Sequence, residues 1–222
     1  MTTIRKSIVT FMISCVAILS FFMIGSVSAY AATVVPGAVD NLNSNLKHSS
    51  YLTAVDDGYM RVYYNNQNIG IEYYDSSFNI ISKKTIPSEL EYWGGFYKGA
   101  DAYYLVEGCP NKAEDDSAEV IRVIKYDTNW KRLGAAKITG NTDIFGGVVR
   151  YPFDCGCVEF AENNGMLYIV TGHEGYVDPM YNQGHQGFLM IAVDETSMTG
   201  RIIDADLWHS FAQYIDNNGY DY

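Results

Sequence analysis

Phe160–Asp204, FAENNGMLYIVTGHEGYVDPMYNQGHQGFLMIAVDETSMTGRIID, is the stretch that decides the fold class. The apolar runs Val158–Ala161, Met166–Thr171 and Phe188–Val193 are separated by turn signals, and a weaker run, Gly200–Ile203, closes the unit. Asn163-Asn164-Gly165 is a hairpin junction, because Asn and Gly accept the positive φ that tight turns need. Four short strands in a recurring unit point to the blade of a β-propeller.

The same order occurs twice upstream. Tyr51–Val55, Tyr59–Tyr64, Ile69–Tyr74 and Ile80–Ile86 form one unit, with Asp56-Asp57-Gly58 at its first turn and Pro87 at its end. Gly94–Lys98, Tyr103–Val106, Val120–Tyr126 and Leu133–Thr139 form the next. Three junctions align: Tyr74-Asp75-Ser76-Ser77-Phe78, Tyr126-Asp127-Thr128-Asn129-Trp130 and Val193-Asp194-Glu195-Thr196-Ser197-Met198. Each sets an Asp where its carboxylate can accept backbone N–H groups, followed by one large apolar residue. Tyr104-Leu105-Val106-Glu107-Gly108 likewise aligns with Tyr168-Ile169-Val170-Thr171-Gly172.

The expected fold is all-β, built of propeller-like four-stranded antiparallel blades. Blades fall at about 51–87, 93–139 and 156–204, and a fourth starts at 208–222. The competing architecture is a β-sandwich with coincidentally matching turns. Since a ring needs at least four blades, 51–222 is expected to be an incomplete propeller domain. Further blades or a partner chain would have to close it.

Residues 1–31 have the order of a signal peptide. Arg5 and Lys6 precede the apolar run Ile8–Ile24, and small residues follow to Ala31. Ala29-Tyr30-Ala31 is the preferred cleavage site, Val27-Ser28-Ala29 the second, and an uncleaved anchor the competing reading. Residues 32–50 are a polar leader. Removing 1–31 leaves 13 basic against 26 acidic residues, a balance of −13. A surface of that sign repels phosphate backbones, so no nucleic-acid partner is expected. No membrane contact is expected after cleavage. The 19 tyrosines suit half-buried strand positions, and also surfaces that stack sugars or peptides.

In a four-stranded blade the 1-to-2 and 3-to-4 turns share one end, and here they are short. The other end gathers the long excursions Gly108–Glu119, Gly140–Cys157, Gly172–Gly187 and Asp204–His209. Long loops on a rigid scaffold are where binding usually sits. His173, Glu174, Asp178, His185 and His209 fall on that rim. His173, His185 and His209 are the residues a metal would use, but His173-x11-His185 matches no compact metal motif. No metal and no cofactor are therefore expected. Cys109, Cys155 and Cys157 map to the same rim, so Cys109–Cys155 or Cys109–Cys157 is the disulfide to look for.

His173-Glu174-Gly175-Tyr176, His185-Gln186, Val193-Asp194 with Met198, and His209-Ser210-Phe211-Ala212-Gln213 follow one another in the third unit and just after it. In this series, over roughly Phe153–Tyr214, the chain resembles repeats of secreted bacterial β-propeller proteins. Cys155-Gly156-Cys157 departs from that pattern. The resemblance implies a propeller in the medium or at a bacterial cell surface and brings no settled activity with it. The ligand candidates are thus His173, Glu174, Tyr176, Asp178, His185, Gln186, His209 and Gln213.

No G-x-S-x-G, Walker A, G-x-G-x-x-G or H-E-x-x-H occurs. The expected function is a non-catalytic extracellular binding or display module contacting carbohydrate or peptide. The alternatives are a carbohydrate-active enzyme completed by missing blades, and a structural spacer.

Overall fold

The described residues of the computed structural model form three antiparallel sheets, each built on a four-stranded up-and-down meander, with one extra short strand on the edge of the third. The described residues are 49–142, 147–153, 158–178, 180, 183–206 and 215. The signal segment, nearly all of the leader and, apart from residue 215, the expected start of a fourth blade lie outside those residues.

Blade 1 comprises β1 (Ser50–Val55), β2 (Gly58–Asn65), β3 (Asn68–Asp75) and β4 (Ile80–Pro87). Blade 2 comprises β5 (Tyr92–Lys98), β6 (Tyr103–Gly108), β7 (Glu119–Tyr126) and β8 (Arg132–Thr139). After the two-residue strand β9 (Tyr151–Pro152), blade 3 comprises β10 (Glu159–Asn163), β11 (Met166–Asp178), β12 (Gln183–Asp194) and β13 (Thr199–Asp206). Among the described residues there is no helix, and the chain is all-β with propeller-like blades.

The Asp-bearing junctions fold alike. Asp75 accepts the N–H of Ser77 at 2.9 Å and of Asn79 at 2.8 Å. Asp127 does the same for Asn129 at 2.9 Å and Lys131 at 2.8 Å, and Asp194 for Thr196 at 3.0 Å and Ser197 at 2.7 Å. The large residue that ends each turn is left-handed: Phe78 at φ 63°, Trp130 at 64° and Met198 at 51°. That conformation costs a side-chain-bearing residue roughly 1–2 kcal/mol, so it persists where packing holds it.

Each blade has a forward face toward the next blade and a rear face toward the one before. Met60, Val62, Ile69 and Ile71 on the forward face of blade 1 pack against Phe96, Leu105, Ile124 and Trp130 of blade 2. Val106, Ile121 and Val123 on the forward face of blade 2 pack against Leu167, Ile169, Leu189 and Ile191 of blade 3. Each fully buried aliphatic contributes roughly 1.5–3 kcal/mol, against about 0–1 kcal/mol for an exposed ion pair. The aliphatics therefore hold the stack together.

Burial explains the strand patterns. In β6, YYLVEG, every residue is buried because blade 2 is covered on both faces. In β2, GYMRVYYN, only Met60 and Val62 are buried. The rear face of blade 1 instead carries a charged network. Glu72 takes Arg61 at 3.3 Å and Lys83 at 3.1 Å, and accepts the Tyr74 hydroxyl at 2.6 Å. At the matching rear positions blades 2 and 3 have the pairs Leu105 and Ile124, and Ile169 and Ile191.

Glu89, in the link between blades 1 and 2, meets Arg132 at 2.6 Å and Arg122 at 3.0 Å. The Arg132 hydrogen bond, with Arg122 beside it, holds Glu89 below the ordinary glutamate value of 4.5. A depressed acid contributes stability that is complete above its unfolded pKa and is lost as pH falls through the folded value. The melting temperature of the wild type should accordingly drop on acidification below 4.5. Glu89→Gln should melt lower at neutral pH and show a shallower acid decline in a scanning-calorimetry series. Parallel pH profiles would contradict this.

Candidate functional site

The short-turn end of blades 1 and 2 forms an open cleft of about 600 Å³. Its walls are Val55, Asp56 and Asp57 of the β1–β2 turn, Tyr73 and Tyr74 at the end of β3, Ile81 and Ser82 of β4, and Lys98, Ala100, Tyr103 and Thr128 of blade 2. The size is that of sites which take small organic ligands.

The rings lining it are braced from behind. Trp130 donates its indole N–H to the Tyr73 hydroxyl at 2.9 Å. The Tyr103 and Phe96 rings lie 4.9 Å and 5.8 Å from that of Trp130. Burial, mainly, pushes the Tyr103 phenol up, so it stays protonated and able to donate at neutral pH. On the far wall, the Ala100 N–H donates to Glu162 at 2.9 Å, fixing the β5–β6 turn to blade 3. Asp56, Asp57, Lys98, Ser82 and Thr128 are exposed. The cleft thus offers aromatic walls with carboxylates, hydroxyls and one ammonium at its mouth.

The acids on the blade 2–blade 3 seam are engaged in structure. The Tyr104 hydroxyl donates to Glu195 at 2.9 Å, and the Lys125 ammonium donates to the Glu195 carbonyl at 2.7 Å. Burial, with Glu162 beside it, raises the Glu195 carboxyl.

The rim anticipated from the sequence looks different. Gly172–Gly187, expected to be a long loop, is strand over most of its length: β11 runs to Asp178 and β12 begins at Gln183. His173 pairs with Gly187, and Glu174 with Gln186, while Pro152 and Tyr151 of β9 pair with the same two residues from the other edge. His173 is completely buried. Glu174 accepts Arg150 at 2.6 Å. His185 and Gln186 are half-buried. The side chains of Tyr176 and Asp178, and all of His209 and Gln213, lie outside the described residues. So do Cys155 and Cys157. Cys109 is a free thiol whose S–H donates to the Glu119 carbonyl at 2.9 Å, in place of the expected bridge, and burial pushes its pKa up. Among the described residues no group of three or more His, Cys, Asp or Glu is placed to hold a metal.

The long-loop end is instead stitched by residues that sequence reasoning passed over. Asn111, 4% exposed, donates to the carbonyls of Asp115 at 2.9 Å and Val149 at 3.1 Å and accepts the Asp115 N–H at 3.0 Å. The cleft was missed too. Its one signal was the placing of Tyr73-Tyr74 and Tyr103-Tyr104 beside Asp-bearing turns in the first two units.

The fold and site together define the class: a stack of propeller-like blades with a tyrosine-walled inter-blade cleft. No family model matches the chain, and no curated protein matches it. Among solved structures, a crystal structure of an ACO/RPE65 chimera is similar with a TM-score of 0.39 and 11% identity, covering 67% of this chain and 34% of that one. This chain thus spans about a third of that structure's length. A likeness of this size adds nothing to the fold, which rests on the strand pairing.

Proposed function

We propose that this chain is a non-catalytic extracellular or cell-surface binding module that takes a carbohydrate in the cleft between its first two blades. The observation that carries the reading is the lining: Tyr73, Tyr74 and Tyr103 beside Asp56, Asp57, Ser82, Lys98 and Thr128. A tyrosine face stacks on the apolar face of a sugar ring while its hydroxyl stays hydrated. Carboxylates and side-chain hydroxyls satisfy sugar hydroxyls, and carboxylate-accepted bonds are the stronger ones. A peptide is the runner-up ligand, since the same walls would take an aromatic or basic side chain.

The test is a glycan array probed with the full chain, followed by calorimetric titration of the best glycan. Asp57→Ala combined with Lys98→Ala should weaken binding by at least about tenfold, with an unchanged melting temperature because both side chains are exposed. Release of product from the bound glycan would favour the enzyme alternative. Silence on the array, or full binding by the double variant, would remove the cleft from consideration and leave the spacer reading.

A further inference from the structure

We infer, resting on the carbohydrate reading of the inter-blade cleft, that its ligand is a cationic sugar: a hexosamine whose amine is free and protonated. Its N-acetylated, neutral and uronic counterparts are the sugars it rejects. Tyr73, Tyr74 and Tyr103 line the cleft together, and the face of a tyrosine ring attracts an ammonium group through its quadrupole. Trp130 holds Tyr73 by a hydrogen bond and packs on Tyr103, so both rings are positioned before a ligand arrives. Asp56 and Asp57, on the β1–β2 turn, line the same cleft. Asp56 is near enough to Tyr103 to add, after burial and Tyr73, to what raises that phenol. Carboxylate and aromatic wall therefore act on one space, and both favour a positive charge in it.

These two aspartates are not engaged in holding the fold. Asp75, Asp127 and Asp194 cap their turns, and Glu72, Glu89 and Glu174 each hold an arginine. Among the described residues neither Asp56 nor Asp57 forms an ion pair, and neither caps a backbone N–H. The turn does not require them either, since the corresponding two-residue turn of blade 3 is the uncharged Asn164-Gly165. Nearby lysines point their charge elsewhere: Lys83 to Glu72 at 3.1 Å, Lys84 to the Asn129 carbonyl at 3.1 Å and Lys125 to the Glu195 carbonyl at 2.7 Å. Lys98 is the one cation among the lining residues. Set against two carboxylates it leaves the cleft one net negative charge, and its ammonium is free to donate to sugar hydroxyls. A uronate would meet two like charges for one opposite. An N-acetyl group would remove the positive charge that the carboxylates and ring faces attract. The whole chain, with 26 acidic residues against 15 basic, adds to the repulsion of anionic glycans at longer range.

The test is calorimetric titration of the full chain with length-matched oligomers of glucosamine, N-acetylglucosamine, glucose and galacturonate, and with trilysine. The glucosamine oligomer should bind at least about tenfold tighter than the glucose and N-acetylglucosamine oligomers, and the galacturonate oligomer should not bind. That preference should shrink as salt screens the exposed charges and as rising pH takes the proton from the sugar amine. Asp56→Asn combined with Asp57→Asn should bring the glucosamine oligomer down to the level of the glucose oligomer. The melting temperature should not change, because asparagine suits this turn. Each single variant should lose part of the preference, which separates the charge from any disturbance of the turn. Equal binding of the glucose and glucosamine oligomers overturns the inference and leaves the carbohydrate reading standing. Binding of none of the glycans overturns both. Tighter binding of trilysine than of the glucosamine oligomer makes the ligand a peptide and overturns it as well. So does a preference that survives in the double variant or grows with pH.

Discussion

Glu107→Ala should destabilise the protein by about 3–5 kcal/mol in urea unfolding. Glu107 lies on β6, on the rear face of blade 2, and is completely buried. It accepts the N–H groups of Glu89 at 2.6 Å and Leu90 at 2.8 Å and the Ser88 hydroxyl at 2.9 Å. Those three residues are the link leaving blade 1. Burial pushes the Glu107 carboxyl up, while the two amides and the hydroxyl pull it back down. Removing the carboxylate leaves the two amides without their acceptor, each costing roughly 1–3 kcal/mol if it stays dry, while the Ser88 hydroxyl can still donate to the Leu90 carbonyl at 2.9 Å. Glu107→Gln should lose less, since one oxygen remains to accept. Hydrogen exchange should accelerate first at Glu89 and Leu90. A loss below about 1 kcal/mol would mean that water replaces the carboxylate and that the link is not held by it.

Trp130→Ala should cost a similar amount, about 3–5 kcal/mol, the usual range for removing a buried tryptophan. The side chain fills the space between blades 1 and 2 and touches Phe96, Tyr103, Tyr126 and the Tyr73 hydroxyl. Two of those residues line the cleft, so glycan binding should fall together with stability. The turn makes a sharper forecast. At φ 64° glycine is at home and alanine is strained by roughly 1–2 kcal/mol. Trp130→Gly should therefore be the milder replacement by about 1 kcal/mol. Alanine outlasting glycine in urea would refute the claim that packing holds this turn in a strained conformation.

The parts legible in the sequence were those whose hydrogen bonds close locally. Asp75, Asp127 and Asp194 cap turns two to four residues away, so the aligned junctions specified their own geometry. The strand periodicity did the same for the all-β class. The contrast between MRVYY in β2 and YYLVE in β6 also carried information: alternation belongs to a blade with one covered face, and a continuous apolar run to a blade with two.

Gly172–Gly187 misled for a physical reason. Glycine, histidine and glutamine there are turn-prone by composition, yet the hairpin supplies every strand with a partner. Gly187 is needed because a Cβ there would come within 2.2 Å of the Asp206 carbonyl. That contact joins β12 to β13, and no spacing in the sequence announces it. Glu107 was equally silent, since an acid in a strand reads as solvent-facing until a link from another blade is laid over it.

The order of residues by itself determined the four-strand units, their turns and the all-β class, because strand alternation and Asp-capped turns are settled between near neighbours in the chain. Tertiary structure alone decided that His173 is interior, that Phe78 is left uncovered while Trp130 is seated, and that Tyr73 and Tyr103 face one cleft. Those outcomes depend on which sheet face another blade covers, and residues far apart in sequence make that choice together.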